Sequence, residues 1–548
     1  MKRLALCLVW AMIPVAAQEP TREQALAAMR KATAFYVDKV STEGGYHFSY
    51  AEDLSYGRSE HGEGLTQIEN QREGTPRVGM AFLEAYAATR EPLYLEAATK
   101  AARALVRGQL CSGGFDYVVE FDTAKRKQYP YRVEYDCASP ATPRTPPTTL
   151  DDNVTQACLR FLTRVDKALG FTDKAIHEAA RYGLDALVRA QYANGAWPQR
   201  YSEFPAPGGH PSKKASYPAT WPREWPGEIY KGHYTFNDNT MIDNMDCLLE
   251  AGRAYGEPRY TASAMRGAGF ILNAQMPEPQ PAWAQQYDAD MHPAWARVFE
   301  PPSVTGGESQ GIIKMLMVFY RETGKREFLN SAGPALRWLE KSVLPAVSKP
   351  SEVRRRAGEP ALARFYELQT NRPLYITKGM QVRAKGLGSV RPDGYRLSYT
   401  DESVITHYAV VTSGAGLRAL REEFDSLMTS APSGGMRRGD SLHGLSPWQT
   451  GNRDPLAARP DAARVAKIMA ALDARGAWVE NGVIGKADEV IAVTAARPMV
   501  LTINGRPIEI NENDRVQLFD GSQPPRARIL RSTTFAGNLE TLAAFVKP

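Results

Sequence analysis

The chain has 548 residues, 43% hydrophobic and 23% charged, which is typical of a soluble globular protein with a large buried core. After the first residues no stretch approaches the roughly 18 apolar residues of a membrane span, which excludes an integral membrane protein. The formal net charge of +6 is mild and no nucleic-acid-binding motif accompanies it, so we expect no nucleic-acid partner.

The chain begins with the features of a secretory signal peptide. The basic pair Lys2-Arg3 precedes an apolar run over residues 4–15, and residues 15–17 supply a small-residue cleavage site. The alternative is a buried N-terminal helix, because the run is too short to span a bilayer. We predict a signal peptide over residues 1–17 and a secreted protein, periplasmic or extracellular. Once the signal is removed, we expect no association with a membrane.

Four cysteines remain after the predicted cleavage, and none has the spacing of a zinc site. Cys111 and Cys137 flank polar loop sequence and are candidates for a disulfide, which an exported location allows. Cys158 and Cys247 lie in apolar helical sequence, so we expect them to be core residues.

One layout occurs four times along the chain: a glycine- or tryptophan-containing turn, a polar loop, a threonine-led segment and two amphipathic helices. The turns are Gly44-Gly45-Tyr46, Gly113-Gly114-Phe115, Gly195-Ala196-Trp197 and Ala282-Trp283, and the threonine-led segments begin at Thr75, Thr148, Thr235 and Thr305. The first three units also end alike, in Arg107-Gly-Gln109, Arg189-Ala-Gln191 and Asn273-Ala-Gln275. Such self-similarity indicates a repeat architecture, in which stacked helical hairpins bury one face against their neighbours.

These repeats predict a mainly α fold, an incomplete α/α toroid of helical-hairpin repeats over residues 18–430 with its loops gathered at one end. A proline- and glycine-rich insertion at 202–230 either caps a ligand groove or forms an ordered surface loop. Residues 431–460 indicate a linker or excursion. Residues 461–548 predict a small α+β appendage, with a hairpin turn at Asn504-Gly505 and a final helix.

The segment from Trp295 to Ser303 places Arg297 and Glu300 directly before two prolines. Proline does not continue a helix, so we expect an extended or turn segment whose side chains face a ligand. A polar loop held by a rigid helix is where binding and catalytic residues are often found.

Six strings, in order along the chain, resemble those of the family 10 pectate lyases. They are Thr149-Leu-Asp-Asp-Asn-Val-Thr155, Trp197-Pro-Gln-Arg-Tyr201, Thr235-Phe-Asn-Asp-Asn-Thr-Met241, Trp283-Ala-Gln-Gln-Tyr-Asp288, Ala296-Arg-Val-Phe-Glu-Pro-Pro-Ser303 and Arg364-Phe-Tyr-Glu-Leu-Gln-Thr-Asn-Arg-Pro373. The resemblance implies an α/α toroid that cleaves polygalacturonate by calcium-dependent β-elimination.

The resemblance also implies where calcium binds. Asp151 and Asp238 match the family's two carboxylates, and we add the adjacent Asp152 as a metal-ligand candidate. Carboxylate oxygens suit Ca²⁺, which would neutralise the substrate carboxylate beside the reacting carbon. The alternative for each aspartate is capping of the helix that follows it.

Arg297 matches the family's proposed base. Its reference pKa of about 12.5–13.8 predicts an alkaline activity optimum, and the alternative role is a substrate clamp oriented by Glu300. Arg364 and Arg372 match the family string and are predicted to bind substrate carboxylates. Lys378 stands where the family pattern has arginine, so it keeps the charge but lacks the fork-shaped guanidinium.

Two aromatic residues complete the predicted substrate site, Trp197 and Tyr201, which either stack on sugar rings or pack inside the toroid. For Trp283 we favour packing. The turn Gly113-Gly114-Phe115 departs from the family pattern, which has tryptophan and a following lysine there.

Three functions remain open at this stage: a secreted pectate lyase, an inverting glycoside hydrolase that uses Asp151 with Asp238, and a non-catalytic polyuronate-binding protein. The hydrolase requires carboxylates about 6.5–9.5 Å apart, and fold alone does not separate the three. The arginine-rich motifs favour the lyase, which we expect to act as a monomer on polygalacturonate or a related polyuronate.

Overall fold

A computed structural model describes residues 19–548 except for a set of shorter segments. Those segments are residues 228–229, 231, 347–357, 379–381, 385–387, 391–394, 401–409, 430–453, 485–489, 495–497, 504–505, 511–514 and 520–525. The predicted signal peptide therefore lies outside the described residues, as do the Asn504-Gly505 turn and most of the predicted linker at 431–460.

The described helices are 9 to 17 residues long, and eight of them form successive pairs. They are α1 (Arg22–Phe35), α2 (Thr75–Thr89), α3 (Pro92–Gly108), α4 (Val154–Ala168), α5 (Lys174–Arg189), α6 (Thr240–Tyr255), α7 (Pro258–Ala274), α8 (Glu308–Thr323), α9 (Glu327–Lys341), α10 (Leu417–Thr429), α11 (Ala462–Ala470) and α12 (Ser532–Val546). Their ends carry ordinary stop and start signals: proline opens α3 and α7, and left-handed glycines, Gly256 and Gly324, end α6 and α8.

The pairs form two concentric layers. Helix α2 packs on α3, α4 on α5, α6 on α7 and α8 on α9. The even-numbered helices α2, α4, α6 and α8 contact one another in sequence, and so do α3, α5 and α7. Stacked hairpins with an inner and an outer layer are the arrangement of an α/α toroid, so the predicted mainly α toroid is confirmed.

The repeated layout of the turns between hairpins has a structural cause. The Gln109 side-chain amide donates to Gly113 O (2.9 Å) in its own turn and to Ala179 O (2.8 Å) in the next outer helix. Gln191 repeats this pattern with Gly195 O (2.9 Å) and Ser263 O (3.0 Å). Each buried glutamine therefore joins one hairpin to the next, which explains why the three units end alike.

Short strands lie between the hairpins. They are β1 (Ser49–Ala51), β2 (Gly57–Arg58), β3 (Gln67–Glu69), β4 (Val118–Glu120), β5 (Thr148–Thr149), β6 (Arg200–Tyr201), β7 (Tyr234–Thr235), β8 (Gln286–Tyr287), β9 (Val304–Thr305), β10 (Ala361–Ala363), β11 (Phe365–Tyr366), β12 (Pro373–Lys378), β13 (Val382–Ala384), β14 (Gly388–Val390), β15 (Tyr395–Ser398), β16 (Val411–Ser413), β17 (Val479–Val483), β18 (Val490–Thr494), β19 (Met499–Ile503), β20 (Arg506–Ile510), β21 (Arg515–Phe519) and β22 (Arg526–Arg531). The antiparallel pairs β3–β4, β5–β6, β7–β8 and β9–β11 each join one repeat to the next.

The last helix is part of the main core. The ring of Phe535 on α12 stacks on Tyr36 with centroids 3.6 Å apart, and Arg77 on α2 forms an ion pair with Glu540. Strand β22, just before α12, pairs with both β1 and β17. The predicted final helix is confirmed, and it packs between α1 and α2 at the beginning of the chain. The predicted strands on either side of residues 504–505 also pair as expected.

Cys111 and Cys137 form a disulfide, as predicted, and Cys158 and Cys247 are buried free thiols. Among the described helices, none has an apolar stretch of the length that crossing a bilayer requires.

Candidate active site

Two aspartates lie on matching turns of successive repeats. Asp152 follows strand β5 and Asp238 follows β7, each in a single 3-10 turn directly before an inner helix. Both have a left-handed φ of 50°, and the asparagines after them, Asn153 and Asn239, are also left-handed. Aspartate and asparagine tolerate this region better than most residues. No side-chain cap bond forms at the start of either helix, so capping does not account for the aspartates.

These turns bring three carboxylates together. One oxygen from each of Asp151, Asp152 and Asp238 lies within 4.8 Å of the others. The hydroxyl of Tyr117 donates to Asp152 Oδ2 (3.0 Å) and Asp151 Oδ2 (3.3 Å). Asp151 Oδ1 is buried and accepts no hydrogen bond from the described residues.

Crowded carboxylates in a dry environment resist ionisation. Burial, followed by the charges of Asp152 and Asp238, raises the pKa of Asp151 to about 7. Burial and Asp238 raise the pKa of Asp152 to about 6. Ionising all three carboxylates therefore costs electrostatic free energy, and a bound cation would offset that cost.

The donor set fits a calcium ion. The carboxylates of Asp151, Asp152 and Asp238 are hard oxygen donors, which Ca²⁺ prefers, and the buried Asp151 Oδ1 has an open lone pair. Burying an acceptor without a partner is costly. The three residues predicted as metal ligands are thus the ones that the fold brings together.

Arg297 lies at the edge of this cluster. Its Nη2 donates to Glu300 Oε1 (2.7 Å) and lies 4.0 Å from Asp238 Oδ2. Its backbone N–H donates to Glu300 Oε2 (2.9 Å). The Glu300 side chain is 1% exposed, whereas that of Arg297 is 31% exposed. A buried carboxylate therefore holds an arginine that remains accessible from solvent.

Arg364 is buried in a hydrogen-bond network beneath the cluster. Its Nη2 donates to Asn237 Oδ1 (2.9 Å), Glu308 Oε1 (3.0 Å) and Asp238 Oδ1 (3.2 Å). The Gln285 side-chain amide donates to the same Asn237 and Glu308 oxygens. This network fixes Asp238, a role that the sequence did not indicate. Binding of a substrate carboxylate by Arg364 stays a prediction.

Two predicted substrate residues are inside the protein instead. Trp197 is 0% exposed, and its Nε1 donates to Leu187 O (2.9 Å) of the outer helix before it. Tyr201 is buried as well. Trp283 is equally buried and donates to Ile271 O (2.9 Å), as favoured from the sequence. The assignment of Trp197 and Tyr201 to the substrate site is therefore wrong, because both rings are buried: Trp197 packs its turn against the preceding helix, and Tyr201 lies in strand β6.

Arg372 and Lys378 are the remaining predicted carboxylate binders. Arg372 is exposed, and its guanidinium carbon lies 3.6 Å from the centroid of the Tyr399 ring. In the described part of the chain it forms no ion pair with the three aspartates. The backbone of Lys378 ends strand β12, and its side chain lies outside the described residues. Both assignments stay predictions.

The insertion at 202–230 packs against the loops that carry Arg297 and Arg364. Arg223 Nη1 donates to Glu367 Oε1 (2.6 Å), and Trp295 Nε1 donates to Pro222 O (2.8 Å). Within its described residues the insertion is therefore ordered and lies beside the loops that carry Arg297 and Arg364. Capping of a ligand groove stays a prediction.

Three residues of the site had a signal in the repeats that sequence analysis did not use. Glu308 stands three residues after Thr305, as Asp238 stands three after Thr235. Gln285 stands two residues after the turn tryptophan Trp283. The third, Tyr117, follows the turn at Gly113-Gly114, where a family lysine was expected.

Comparison with known proteins identifies the family. Residues 124–404, more than half of the chain, match the pectic acid lyase family. No curated protein sequence matches the chain. Solved structures that resemble it include a Family 10 polysaccharide lyase from Cellvibrio cellulosa (22% identity, TM-score 0.41, covering 63% of this chain and 95% of that chain). A mutant of such a lyase from the same organism, in complex with trigalacturonic acid, gives 23% identity and a TM-score of 0.38 over 55% of this chain and 86% of that chain. A cellobiose 2-epimerase from Spirochaeta thermophila gives 17% identity and a TM-score of 0.38, covering 59% of this chain and 69% of that chain.

The family match places the protein among the polysaccharide lyases. The chain belongs to the pectic acid lyase family.

Proposed function

We propose that the protein is a secreted pectate lyase that cleaves polygalacturonate by calcium-dependent β-elimination, with Arg297 as the base. The observation that carries the proposal is the position of Arg297 Nη2, 4.0 Å from Asp238, at the edge of a cluster of three aspartates. The site thus combines a cation-binding surface with an exposed basic side chain, and β-elimination of a uronate needs both.

Elimination removes the proton at C5 of a uronate, and the released electron pair forms the C4–C5 double bond as the C4–oxygen bond breaks. The C5 proton is barely acidic because the adjacent carboxylate is already negative. Calcium bound by Asp151, Asp152 and Asp238 would neutralise that carboxylate and the negative charge that develops beside C5.

Arg297 takes the C5 proton in this proposal. Glu300 accepts hydrogen bonds from both its backbone N–H and its Nη2, which fixes the side chain in one orientation. The same glutamate and Asp238 are anions that favour the charged guanidinium. We therefore expect turnover to rise with pH well into the alkaline range.

Arg364 acts as a positioning residue in this scheme. Its hydrogen bonds to Asp238 and to Asn237 hold the second aspartate turn in place from below. Arg372 and Lys378 are proposed to bind substrate carboxylates farther along the polymer.

The two alternative functions fit the geometry less well. The nearest oxygens of Asp151 and Asp238 lie within 4.8 Å, closer than the roughly 6.5–9.5 Å that inverting hydrolysis needs for its water molecule. A non-catalytic binding protein gives no reason for three crowded carboxylates with raised pKa values beside a fixed arginine.

Export is part of the proposal. The Cys111–Cys137 disulfide supports it, because disulfides persist in oxidising compartments and are rare in the cytosol. Determination of the N-terminus of the protein recovered outside the cytoplasm tests the cleavage site predicted after residue 17.

One assay tests the lyase proposal. Purified protein is incubated with polygalacturonate, with and without a calcium chelator, and ultraviolet absorbance is followed. Elimination produces a conjugated double bond that absorbs, hydrolysis produces reducing ends without it, and a binding protein produces neither. Arg297→Ala is expected to abolish the signal while leaving substrate binding mostly intact; an active Arg297→Ala variant would overturn the role of the base.

A further inference from the structure

A second arginine lies near Tyr117, the residue whose hydroxyl donates to Asp151 and Asp152. Arg200 is in strand β6, in register with Thr149 of β5. The next backbone bond, from Leu150 N to Gln199 O (2.9 Å), joins β6 to the turn that carries Asp151. The backbone of Arg200 is therefore held in a fixed position relative to the carboxylates.

The surroundings of Arg200 differ from those of the arginines already described. Arg297 and Arg364 each form ion pairs with acidic side chains. Arg200 forms no ion pair within the described part of the chain, which is the difference from those two. Its Nε, like theirs, is buried without a hydrogen-bond partner. Leaving a buried donor unsatisfied is costly, so this guanidinium favours an anionic ligand.

The aromatic neighbours of Arg200 also suit a sugar acid. Its guanidinium carbon lies 5.6 Å from the centroid of the Tyr117 ring, and that ring is stacked on His61 with centroids 3.7 Å apart. The hydroxyl of the same tyrosine donates to Asp151 and Asp152. One tyrosine thus contacts both the predicted calcium ligands and the neighbourhood of Arg200.

We propose that Arg200 binds the carboxylate of a second uronate, next to the one held at the aspartate cluster, with His61 and Tyr117 beside that sugar. This rests on the proposed lyase function and deepens it. His61 and Tyr117 lie before residue 124, outside the part of the chain that matches the family. The first repeat, through His61, thereby takes part in recognising the unesterified polymer.

The chemistry of an arginine–carboxylate contact explains why Arg200 would prefer an unesterified sugar. An arginine offers two parallel N–H donors to a carboxylate, and such charge-assisted bonds are among the strongest in proteins. A methyl ester at that sugar has no negative charge and accepts only weakly, so Arg200 would discriminate against it.

The test compares Arg200→Ala, Arg200→Lys and wild-type enzyme on polygalacturonate and on partially methyl-esterified polymer. For Arg200→Ala we expect KM for polygalacturonate to rise about 10- to 100-fold with kcat within about twofold. The preference for unesterified over esterified substrate should fall in the same variant, and the lysine should restore part of it.

A purely structural role for Arg200 would not change the ester preference, which makes that ratio the decisive readout. Arg418→Ala is the matched control, because its side chain is 90% exposed on α10 and, among the described residues, pairs only with Glu422 on the same helix. Unchanged KM and ester preference in Arg200→Ala, with normal wild-type turnover, would overturn the subsite but not the lyase. Absence of wild-type elimination on any polyuronate would overturn the lyase itself. Should Arg200→Ala not fold, Arg200→Lys with wild-type kinetics on both substrates would overturn the subsite.

Discussion

The indole Nε1 of Trp225 donates a hydrogen bond of 2.8 Å to the carbonyl oxygen of Ala296, the residue directly before Arg297. The donor belongs to the insertion at 202–230, and the acceptor belongs to the loop that carries the proposed base. The Trp225 side chain stays 41% exposed beside that loop. The insertion therefore helps to fix the backbone at the reacting centre from outside the hairpin repeats.

Replacing Trp225 with phenylalanine removes this hydrogen bond and keeps an aromatic ring. One such bond contributes about 0.5–1.5 kcal/mol, so we expect kcat on polygalacturonate to fall about 2- to 10-fold with little change in thermal stability. Phe171→Ala is the control, since Phe171 has the same 41% exposure on another loop. Equal kcat in both variants would show that the insertion does not hold the Arg297 loop.

Glu300→Gln removes a buried negative charge from the nearest neighbour of Arg297. A neutral amide no longer favours the charged guanidinium, so the rise of the rate with pH should occur at lower pH than in the wild type. The maximum rate should also fall, because the amide cannot accept both hydrogen bonds as a carboxylate does. The pH profile of kcat measures both effects, and a profile that only scales down would contradict a role for Arg297 as base.

Calcium affinity should depend on pH near neutrality. Burial and the neighbouring aspartates raise the pKa of Asp151 to about 7. Burial, together with the charge of Asp238, raises the pKa of Asp152 to about 6. Because the ligands must be ionised, we expect affinity to be full above pH about 8, to weaken about tenfold per pH unit between about pH 7 and 6, and to weaken more steeply below pH about 6, where both carboxylates are protonated. Calorimetric titration with Ca²⁺ at pH 5, 6 and 8 tests this.

Asp173→Asn is the matched control for that titration. Asp173 accepts backbone hydrogen bonds at the start of α5 and pairs with Arg103, away from the three aspartates. Its substitution should leave Ca²⁺ affinity unchanged, whereas Asp151→Asn should abolish binding. Constant affinity in the wild type from pH 5 to 8 would be incompatible with the proposed ligands.

A buried ion network between α4 and α6 should be needed for stability. Arg160 is fully buried and pairs with Asp246 (2.6 Å) and with Glu250. Arg160→Ala leaves two buried carboxylates short of a partner, so the free energy of unfolding should fall by about 3–5 kcal/mol. The exposed pair of Arg418 should be worth at most about 1 kcal/mol. Urea denaturation of both alanine variants compares them.

The same network predicts part of the acid sensitivity. Burial alone would raise the pKa of Glu250, but Arg164 and Arg160 overcome this and lower it to about 2. Its usual value is 4.5, so the contribution of Glu250 is complete above pH 4.5 and is lost as the pH falls towards 2. Arg160→Ala should lose less stability between pH 5 and 3 than the wild type; an equal loss in both proteins would contradict this.

Sequence reasoning was most successful where the repeats carry the information. Each repeat presents its acids at the same place after a short strand, so Asp152 and Asp238 converge once the hairpins stack. The glutamines at the ends of the units indicated a repeat architecture, and their hydrogen bonds to the following turn explain why the glutamine recurs. The repeat pattern was enough to predict these elements because each of their contacts joins neighbouring repeats.

Contacts between distant segments were harder to predict. Whether the ring of Trp197 faces sugar or core depends on which helix covers it, and residue type alone does not distinguish the two. Arg364 was identified as functional, but its contact with Glu308 joins segments 56 residues apart. The left-handed backbone of Asp152 likewise depends on the turn being held by its neighbours.

The contact of α1 and β1 with the much later elements α12 and β22 has a consequence for biosynthesis. Arg22 in the first helix donates to the carbonyl oxygen of Val546 in the last one (3.0 Å), and β1 receives its partner β22 from the final twenty-odd residues of the chain. On the ribosome, the apolar flank of α1 and α2 must stay uncovered until residues 526–546 have been translated. A chaperone that shields this flank, or an export route that carries the chain unfolded, would prevent nascent molecules from sticking together there.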